Sequence, residues 1–505
     1  MRKGLSLVVL AVAGSLSLAS CSSGQPTVAV PSPVITRAVA SNLEVYYEQK
    51  VKWTDCGGAT CAKVKVPLDY KNPGSGSTTL AVTKVPAQGD SQGALFVNPG
   101  GPGGSGFDYA KSASQTLSEA VNEHFDIIGV DPRGVSKSEP VNCLTDQQQD
   151  VLGAANSYPQ TPEQIRVIQR LAKLPGVGCV SFASPRFKHM STENVARDFD
   201  IVRAVVKNES FNFLGESYGT AVGTRYAQLF PDRVGRMVLD GVLPVDLDLT
   251  AVTKAQAIGF EEAFTNFAAD CSTHDGCPYP GNAKQVALKI QNFLKSLDAS
   301  PIKVGSRELN SSLASRSVFS YLYFPAGDYP QLRSALDDAV NHHNGAPLLT
   351  LLNSRAGRQP DGHYADNSTS AFYAVTCIDR QYAGTVDEVT ALAKQWQSVA
   401  PTFGASLAWG MLPCSSWPAL GPAPTKKMTF EKISPVLVVA TSHDPATPAA
   451  WAKRLTSQVP NSRLLTWDSY NHTAYRQGSG CIDEAVDRYF LSGTLPEANL
   501  KCSGS

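Results

Sequence analysis

Charge is scarce in this chain, and neither sign is in excess: 44 Lys+Arg stand against 44 Asp+Glu among 505 residues. A nucleic-acid-binding protein carries a basic excess or stripe, so that class is excluded. No C-x-x-C pair and no Cys/His cluster at zinc spacing occurs. A structural metal is therefore not expected, and no metal or organic cofactor is implied. The 40 Gly and 33 Pro follow no period, which argues against collagen-like and low-complexity classes. No repeat at solenoid spacing is visible. Beyond the N-terminus no apolar run reaches the roughly 20 residues that a spanning helix needs.

What is present begins with a leader. Arg2 and Lys3 precede an apolar stretch from Gly4 to Leu16, the length of a signal peptide and short for a bilayer span. It runs into Leu18-Ala19-Ser20-Cys21, followed by the small, polar Ser22-Ser23-Gly24-Gln25-Pro26. This resembles the lipobox of bacterial lipoproteins, in which cleavage before the cysteine frees its thiol for a diacylglycerol. The chain is expected to be exported and held at the cell envelope by a lipid on Cys21, with a flexible tether behind it. Cysteine usage agrees with export. Of the 11 Cys, setting aside Cys21 leaves Cys56, Cys61, Cys143, Cys179, Cys271, Cys277, Cys377, Cys414, Cys481 and Cys502. An even set in an exported protein reads as disulfides. The cysteines fall in couples along the chain, so pairing between neighbours is the working expectation, although spacing alone does not fix connectivity.

Short apolar runs alternate with helical patterns in the first half. Strand-like segments are Thr79 to Val85, Gly93 to Asn98, Phe125 to Val130, Phe211 to Leu214 and Met237 to Leu239. Between them, Met190 to Val206 carries Val195, Phe199, Val202 and Val206 at helical spacing, with Ser191 or Thr192 as cap, and Ala221 to Phe230 reads as a second helix stopped by Pro231. Buried strands alternating with helices imply a mostly parallel sheet. The pattern becomes mainly helical from about Asp246, in segments such as Phe260 to Phe267, Val286 to Leu297, Tyr329 to Val340 and Val386 to Val399. Strands resume at Val436 to Ala440 and Leu464 to Trp467. The expected organisation is a leader over 1–20, lipidated Cys and tether over 21–45, and a split α/β domain over 46–245 and 426–505. A helical insertion over 246–425 separates its two parts.

Gly215-Glu216-Ser217-Tyr218-Gly219 matches the G-x-S-x-G nucleophile elbow, with a strand before it and a helix after it. The flanking glycines leave room for a sharp turn that lifts the Ser217 hydroxyl above the sheet. Asn98-Pro99-Gly100-Gly101-Pro102-Gly103-Gly104-Ser105-Gly106 follows what would be a central strand. Its amides, Gly101 first and Gly100 next, would join that of Tyr218 in an oxyanion hole. No Lys-Ser/Thr follows the loop, which argues against a phosphate cradle. In this fold the acid and base follow the serine in chain order. Asp444, after the strand ending at Ala440, is the expected acid, with Asp240 as rival. His472, after the last strand, is the expected base. His443 adjoins Asp444 and would point away from it. Ser217 would attack an acyl carbon, His472 would take its proton, and Asp444 would hold the imidazole tautomer.

Several motifs then occur together in order: Leu95 to Gly106, Asp131-Pro132-Arg133-Gly134, Gly215 to Thr220, Val238-Leu239-Asp240-Gly241, Cys377-Ile378-Asp379, Cys414 with Trp417, and the Asp444 loop. Together they resemble the tripeptidyl aminopeptidase branch of the α/β hydrolases, related to the prolyl aminopeptidases, over roughly residues 50 to 490. Pro99 stands where the His-Gly-Gly-Pro loop of prolyl aminopeptidases has histidine. The resemblance implies an α/β-hydrolase fold with a helical cap and removal of short peptides, three residues at a time, from a free N-terminus. Its partners would be a peptide substrate and, through the lipid, a membrane. A free-amine substrate needs a carboxylate near the nucleophile, and Glu216 and Asp379 are the candidates. An esterase or lipase acting on envelope lipids stays open as an alternative, as does a non-catalytic binding lipoprotein. Nothing in the sequence sets an oligomeric state, and a monomer is the default.

Overall fold

The computed structural model describes residues 42–419, 421, 428–430 and 432–504; the leader, Cys21 and most of the tether lie outside the described residues. The strands are β1 (Thr54–Asp55), β2 (Thr60–Pro67), β3 (Ser77–Val85), β4 (Ala94–Asn98), β5 (Asp126–Val130), β6 (Phe211–Glu216) and β7 (Val234–Asp240). They continue with β8 (Ile302–Val304), β9 (Arg307–Leu309), β10 (Val436–Thr441), β11 (Arg463–Trp467) and β12 (Lys501–Cys502). Ten of them form one sheet in the order β1-β2-β3-β5-β4-β6-β7-β10-β11-β12, and β8 with β9 makes a separate hairpin. From β5 to β12 every pairing is parallel, while β1, β2 and β3 add an antiparallel edge. Helices cover both faces, the arrangement of an α/β hydrolase.

The central strands read as continuous apolar runs because both faces of the sheet are covered. Along β4, Ala94 and Phe96 enter one core and Leu95 and Val97 the other. The first core is aromatic: Phe211 stacks on Tyr226 at 3.9 Å between ring centroids and on Phe213 at 4.9 Å. β3 is more buried than its alternating pattern implies: Leu80 and Val82 enter that same core, and Ala81 and Thr83 on the opposite face are buried as well. The helix expected after Met190 spans Thr192–Val205, and the Ser191 hydroxyl accepts from Asn194 N. The elbow helix spans Tyr218–Leu229, starting three residues earlier than the apolar pattern suggests.

The segment between β7 and β10 is mainly helical. Its helices include Leu249–Cys271, Ala283–Ser296, Ser311–Ser320, Pro325–Asn341, Ser368–Asp379 and Val386–Trp396, with the β8–β9 hairpin among them. It has its own core, in which Phe260, Phe264, Phe267, Ile290, Leu332 and Leu336 are buried. Each such side chain contributes roughly 1.5–3 kcal/mol by leaving water. Helices between β5 and the Thr192 helix pack against it too. Asp150 takes two bonds from Arg358, at 2.7 and 2.8 Å, and the Tyr158 hydroxyl donates to Thr402 O. Asn367 clamps the Ser368 helix to the core: its amide donates to Gly134 O (2.8 Å) and Val141 O (3.0 Å) and accepts from Ser136 N (2.9 Å).

Five disulfides join Cys56–Cys61, Cys143–Cys179, Cys271–Cys277, Cys377–Cys414 and Cys481–Cys502. Among the described residues, no helix is long and apolar enough to cross a membrane.

Candidate active site

Ser217 sits between β6 and the helix it precedes, with φ 54° and ψ −122°, a conformation uncommon for a residue with a side chain. Its amide donates to Asp240 O at 2.9 Å, and its carbonyl accepts from Thr220 N and Oγ1 at 3.0 and 2.6 Å. The turn closes only with glycine on both sides. A Cβ on Gly215 would lie 2.6 Å from Gly219 O, and one on Gly219 would lie 2.5 Å from Asn98 O.

The glycine-rich loop lies directly on this elbow. A Cβ on Gly100 would stand 2.5 Å from Glu216 O, 2.8 Å from Tyr218 N and 3.0 Å from Ser217 Cβ. Gly100 N is already committed to Asn98 Oδ1 at 3.0 Å. The Gly101 amide has no hydrogen-bond partner among the described residues, and Tyr218 N belongs to the open first turn of its helix. Those two donors therefore remain for an oxygen held beside Ser217. Asp131 braces the far end of the loop, accepting from Ser105 Oγ (2.6 Å) and Phe107 N (3.1 Å). Arg133 of the same motif is structural, with a two-pronged contact to buried Asp198 at 2.7 and 2.6 Å.

The β10–β11 end of the sheet brings Asp444 and His472 together. His472 Nδ1 lies 2.9 and 3.0 Å from the two Asp444 oxygens. An ionised carboxylate only accepts, so Nδ1 carries the proton and Nε2 keeps its lone pair. Asp444 also accepts from Ala446 N (2.9 Å), Thr447 N (2.7 Å), Thr447 Oγ1 (2.8 Å) and Thr473 N (3.2 Å). His472 N donates to Tyr323 O at 2.8 Å, so a residue of the helical insertion holds the loop from above. Among the described residues no hydrogen bond joins Ser217 Oγ to the imidazole; such bonds are often long without substrate and tighten on binding.

Asp240, the rival acid, meets backbone instead of imidazole. Its carboxylate accepts from Ala474 N (3.1 and 2.9 Å) and Tyr475 N (2.8 Å). Residue 240 thus ties the nucleophile turn, through its carbonyl, to the histidine loop, through its side chain. His443 turns outward, stacked on Tyr470 at 4.3 Å with Nδ1 2.5 Å from Glu262.

Three buried groups interact electrostatically here. Burial lowers the His472 pKa, but Asp444 chiefly, then Asp240 and Glu216, outweigh it, and the net shift is above the usual histidine value. Burial, with Asp240 beside it, pushes Glu216 up to about 8. Burial likewise pushes Asp240 up to about 6, against the pull of its two amide donors.

Glu216 and Asp379 lie on different sides of Ser217. Glu216 faces Tyr109, whose hydroxyl pKa its charge raises beyond the effect of burial. Asp379 accepts from Thr192 N at 2.9 Å and from Thr192 Oγ1, capping the start of that helix. Arg380 does not pair with it; its guanidinium donates to Leu247 O and Pro244 O. Asp379 also borders a cavity of about 40 Å³ walled by Pro102, Tyr218 and Thr376. A cleft of about 620 Å³ lies between the insertion and the helices that follow β5; Tyr323 and Thr376 are among its walls, with Asp150 and Ile168 on the other side. Sequence reasoning missed Tyr323 and Thr447. Thr447 was within reach, since Asp-Pro-Ala-Thr is a local side-chain-to-backbone turn; Tyr323 carries no comparable signal.

A family model described as "TAP-like protein" matches residues 400–502. The chain is 35% identical over 477 residues to "Serine protease Hip1" of Mycobacterium tuberculosis, covering 90% of this chain and 91% of that protein. It is 34% identical over 452 residues to "Carboxylesterase B" of the same species, covering 88% and 86%. It is 29% identical over 474 residues to "Tripeptidyl aminopeptidase" of Streptomyces lividans, covering 90% and 86%.

Proposed function

The chain belongs to the tripeptidyl aminopeptidase branch of the α/β hydrolases, and from that premise we propose that it is a serine peptidase with Ser217 as nucleophile, His472 as base and Asp444 as the acid that orients it. The observation that carries this reading is the pairing of His472 Nδ1 with Asp444 at 2.9 and 3.0 Å, at the same end of the sheet as a serine in a left-handed turn. With Nδ1 occupied, Nε2 is free to take the Ser217 proton as Oγ attacks the scissile carbonyl carbon. The oxygen, now negative, is held by the amides of Gly101 and Tyr218. His472 then protonates the leaving amine, and water releases the acyl-enzyme by the reverse path.

The substrate class we propose is a short peptide with a free N-terminus, three residues leaving together. The relative named tripeptidyl aminopeptidase and the insertion over the sheet end support it. Asp379, on the small cavity beside Tyr218, is the carboxylate we assign to the ammonium, with Glu216 second. The test compares free and N-acetylated tripeptide substrates on native protein and on Ser217→Ala. A free-amine preference of at least about 30-fold, matching the loss of one charge-assisted bond, is expected. Equal cleavage of blocked peptides would remove the aminopeptidase reading and favour an esterase, the reading supported by the relative named carboxylesterase B. Asp379→Asn and Glu216→Gln identify which carboxylate sets the preference.

We further propose that the chain is exported and tethered through a lipid on Cys21, supported by the leader pattern and five disulfides. Mass spectrometry of the mature N-terminus checks it: an acylated Cys21 is expected, and an unmodified start elsewhere overturns it.

A further inference from the structure

One face of the Ser311–Ser320 helix and the turn after it forms a wall of the large cleft. Ser312, Ser315, Arg316, Phe319, Ser320 and Tyr323 line it, spaced as one helical stripe. The lower end of the stripe is aromatic and touches the histidine: the Tyr323 ring meets the imidazole edge-on at 5.3 Å, and its carbonyl holds His472 N. The upper end is cationic. Arg316 is exposed to the cleft and makes no ion pair or hydrogen bond among the described residues. Its charge reaches Tyr364 and Tyr373, both also on the cleft. A second arginine of the lining, Arg307, donates to a neutral partner, Asn353 Oδ1, at 3.0 Å.

The remaining charges cancel locally. Asp150 is taken by Arg358 at 2.7 and 2.8 Å, and Arg355 by Asp328 at 2.5 Å. An exposed arginine on a convex surface is ordinary. Arg316 and Arg307, neither in an ion pair among the described residues, give one concave wall more positive charge than Asp150, which acts on Arg307 as well as Arg358, offsets, and a cleft concentrates that field.

We propose that this end of the cleft is an anion subsite that takes a carboxylate of the peptide substrate, with Arg316 as its principal ligand. The spacing sets where that carboxylate lies. The helix rises about 6 Å over the four residues from Arg316 to Ser320, and the turn after it leads to Tyr323; an extended peptide covers such a span in a few residues. The carboxylate is thus an acidic side chain, or the free C-terminus, a few residues from the scissile bond. A guanidinium suits it because its planar fork matches both carboxylate oxygens. The subsite deepens the peptidase reading and rests on this cleft being the one that holds substrate.

The test measures binding to the Ser217→Ala protein by fluorescence anisotropy, so that nothing is cleaved. Three labelled hexapeptides are compared: one with a single Glu and an amidated C-terminus, one neutral with a free C-terminus, and one neutral and amidated. One or both carboxylate-bearing peptides is expected to bind about tenfold more tightly than the neutral amide, and which one identifies the source. Adding Arg316→Gln is expected to abolish the difference, and Arg316→Lys to keep part of it. Thermal unfolding of each variant checks the fold. Equal binding of all three peptides, or a preference that survives Arg316→Gln, overturns the subsite. Cleavage by the native enzyme is scored separately. Turnover with no charge preference in binding sinks the subsite alone. Arg316-dependent binding without turnover sinks the peptidase reading alone.

Discussion

The carboxyl end of the sheet, a floor, and the helical segment above it, a roof, are built on opposite principles. In the floor, Asp444 accepts from His472 and from four donors of its own and the histidine loop. Asp240 spends its carboxylate on the amides of Ala474 and Tyr475. In the roof, Arg316 has no ion-pair or hydrogen-bond partner among the described residues, and the Ser311 hydroxyl is buried without one there. Groups that must sit within a fraction of an ångström of a reacting atom are held by many bonds, whereas groups that select a partner keep their bonding capacity open.

The sharpest test of that contrast is in the floor. Ser217→Ala should fold normally yet lose about 10⁴-fold or more in kcat, and Asp444→Asn, which permits the wrong imidazole tautomer, should lose about as much. Steady-state kinetics with thermal unfolding checks both; a Ser217→Ala protein of normal turnover breaks the comparison outright. Next in size is pH. His472 must be neutral to accept a proton, and its pKa lies above the usual histidine value. The rate should therefore fall about tenfold per unit below a midpoint that itself lies above about 6.5. Glu216, itself pushed up to about 8, raises His472 by its charge once ionised. Glu216→Gln should accordingly move the midpoint down, and an unmoved or rising midpoint contradicts the coupling.

Smaller effects separate neighbours within the floor and test its joint to the roof. Asp240→Asn keeps an acceptor for one amide and should cost about tenfold in kcat, far less than Asp444→Asn; losses of equal size would mean the two aspartates share one role. At the joint, Asn367→Ala leaves Gly134 O and Val141 O without a donor and should lower stability by about 1–3 kcal/mol. Chemical unfolding measures it, and no loss would mean the roof is held by its apolar contacts alone.

The floor was legible in the sequence because its signals are local. A serine between two glycines after a strand, and an aspartate and a histidine just past strand ends, each announce themselves within a few residues. The apolar pattern starts the elbow helix only at Ala221, while the backbone turns helical at Tyr218, immediately after the nucleophile. The roof was legible only as helices. Asn367 bonds carbonyls 226 and 233 residues away, and nothing near it in the chain signals that contact. Arg316 reads in sequence as an ordinary surface arginine; its isolation appears only once Asp150 and Asp328 are seen to be occupied by Arg358 and Arg355.

The order of the disulfides bears on how the chain matures. The bridges join first with second, third with fourth, fifth with sixth, seventh with eighth and ninth with tenth of the described cysteines, across separations of 5, 36, 6, 37 and 21 residues. A chain emerging N-terminus first therefore exposes the correct partner next, every time. Each thiol can be oxidised before a wrong candidate appears, so assembly needs an oxidant but little reshuffling. Released in full into a denaturant and reoxidised, the same chain loses that temporal ordering and must search among its pairings.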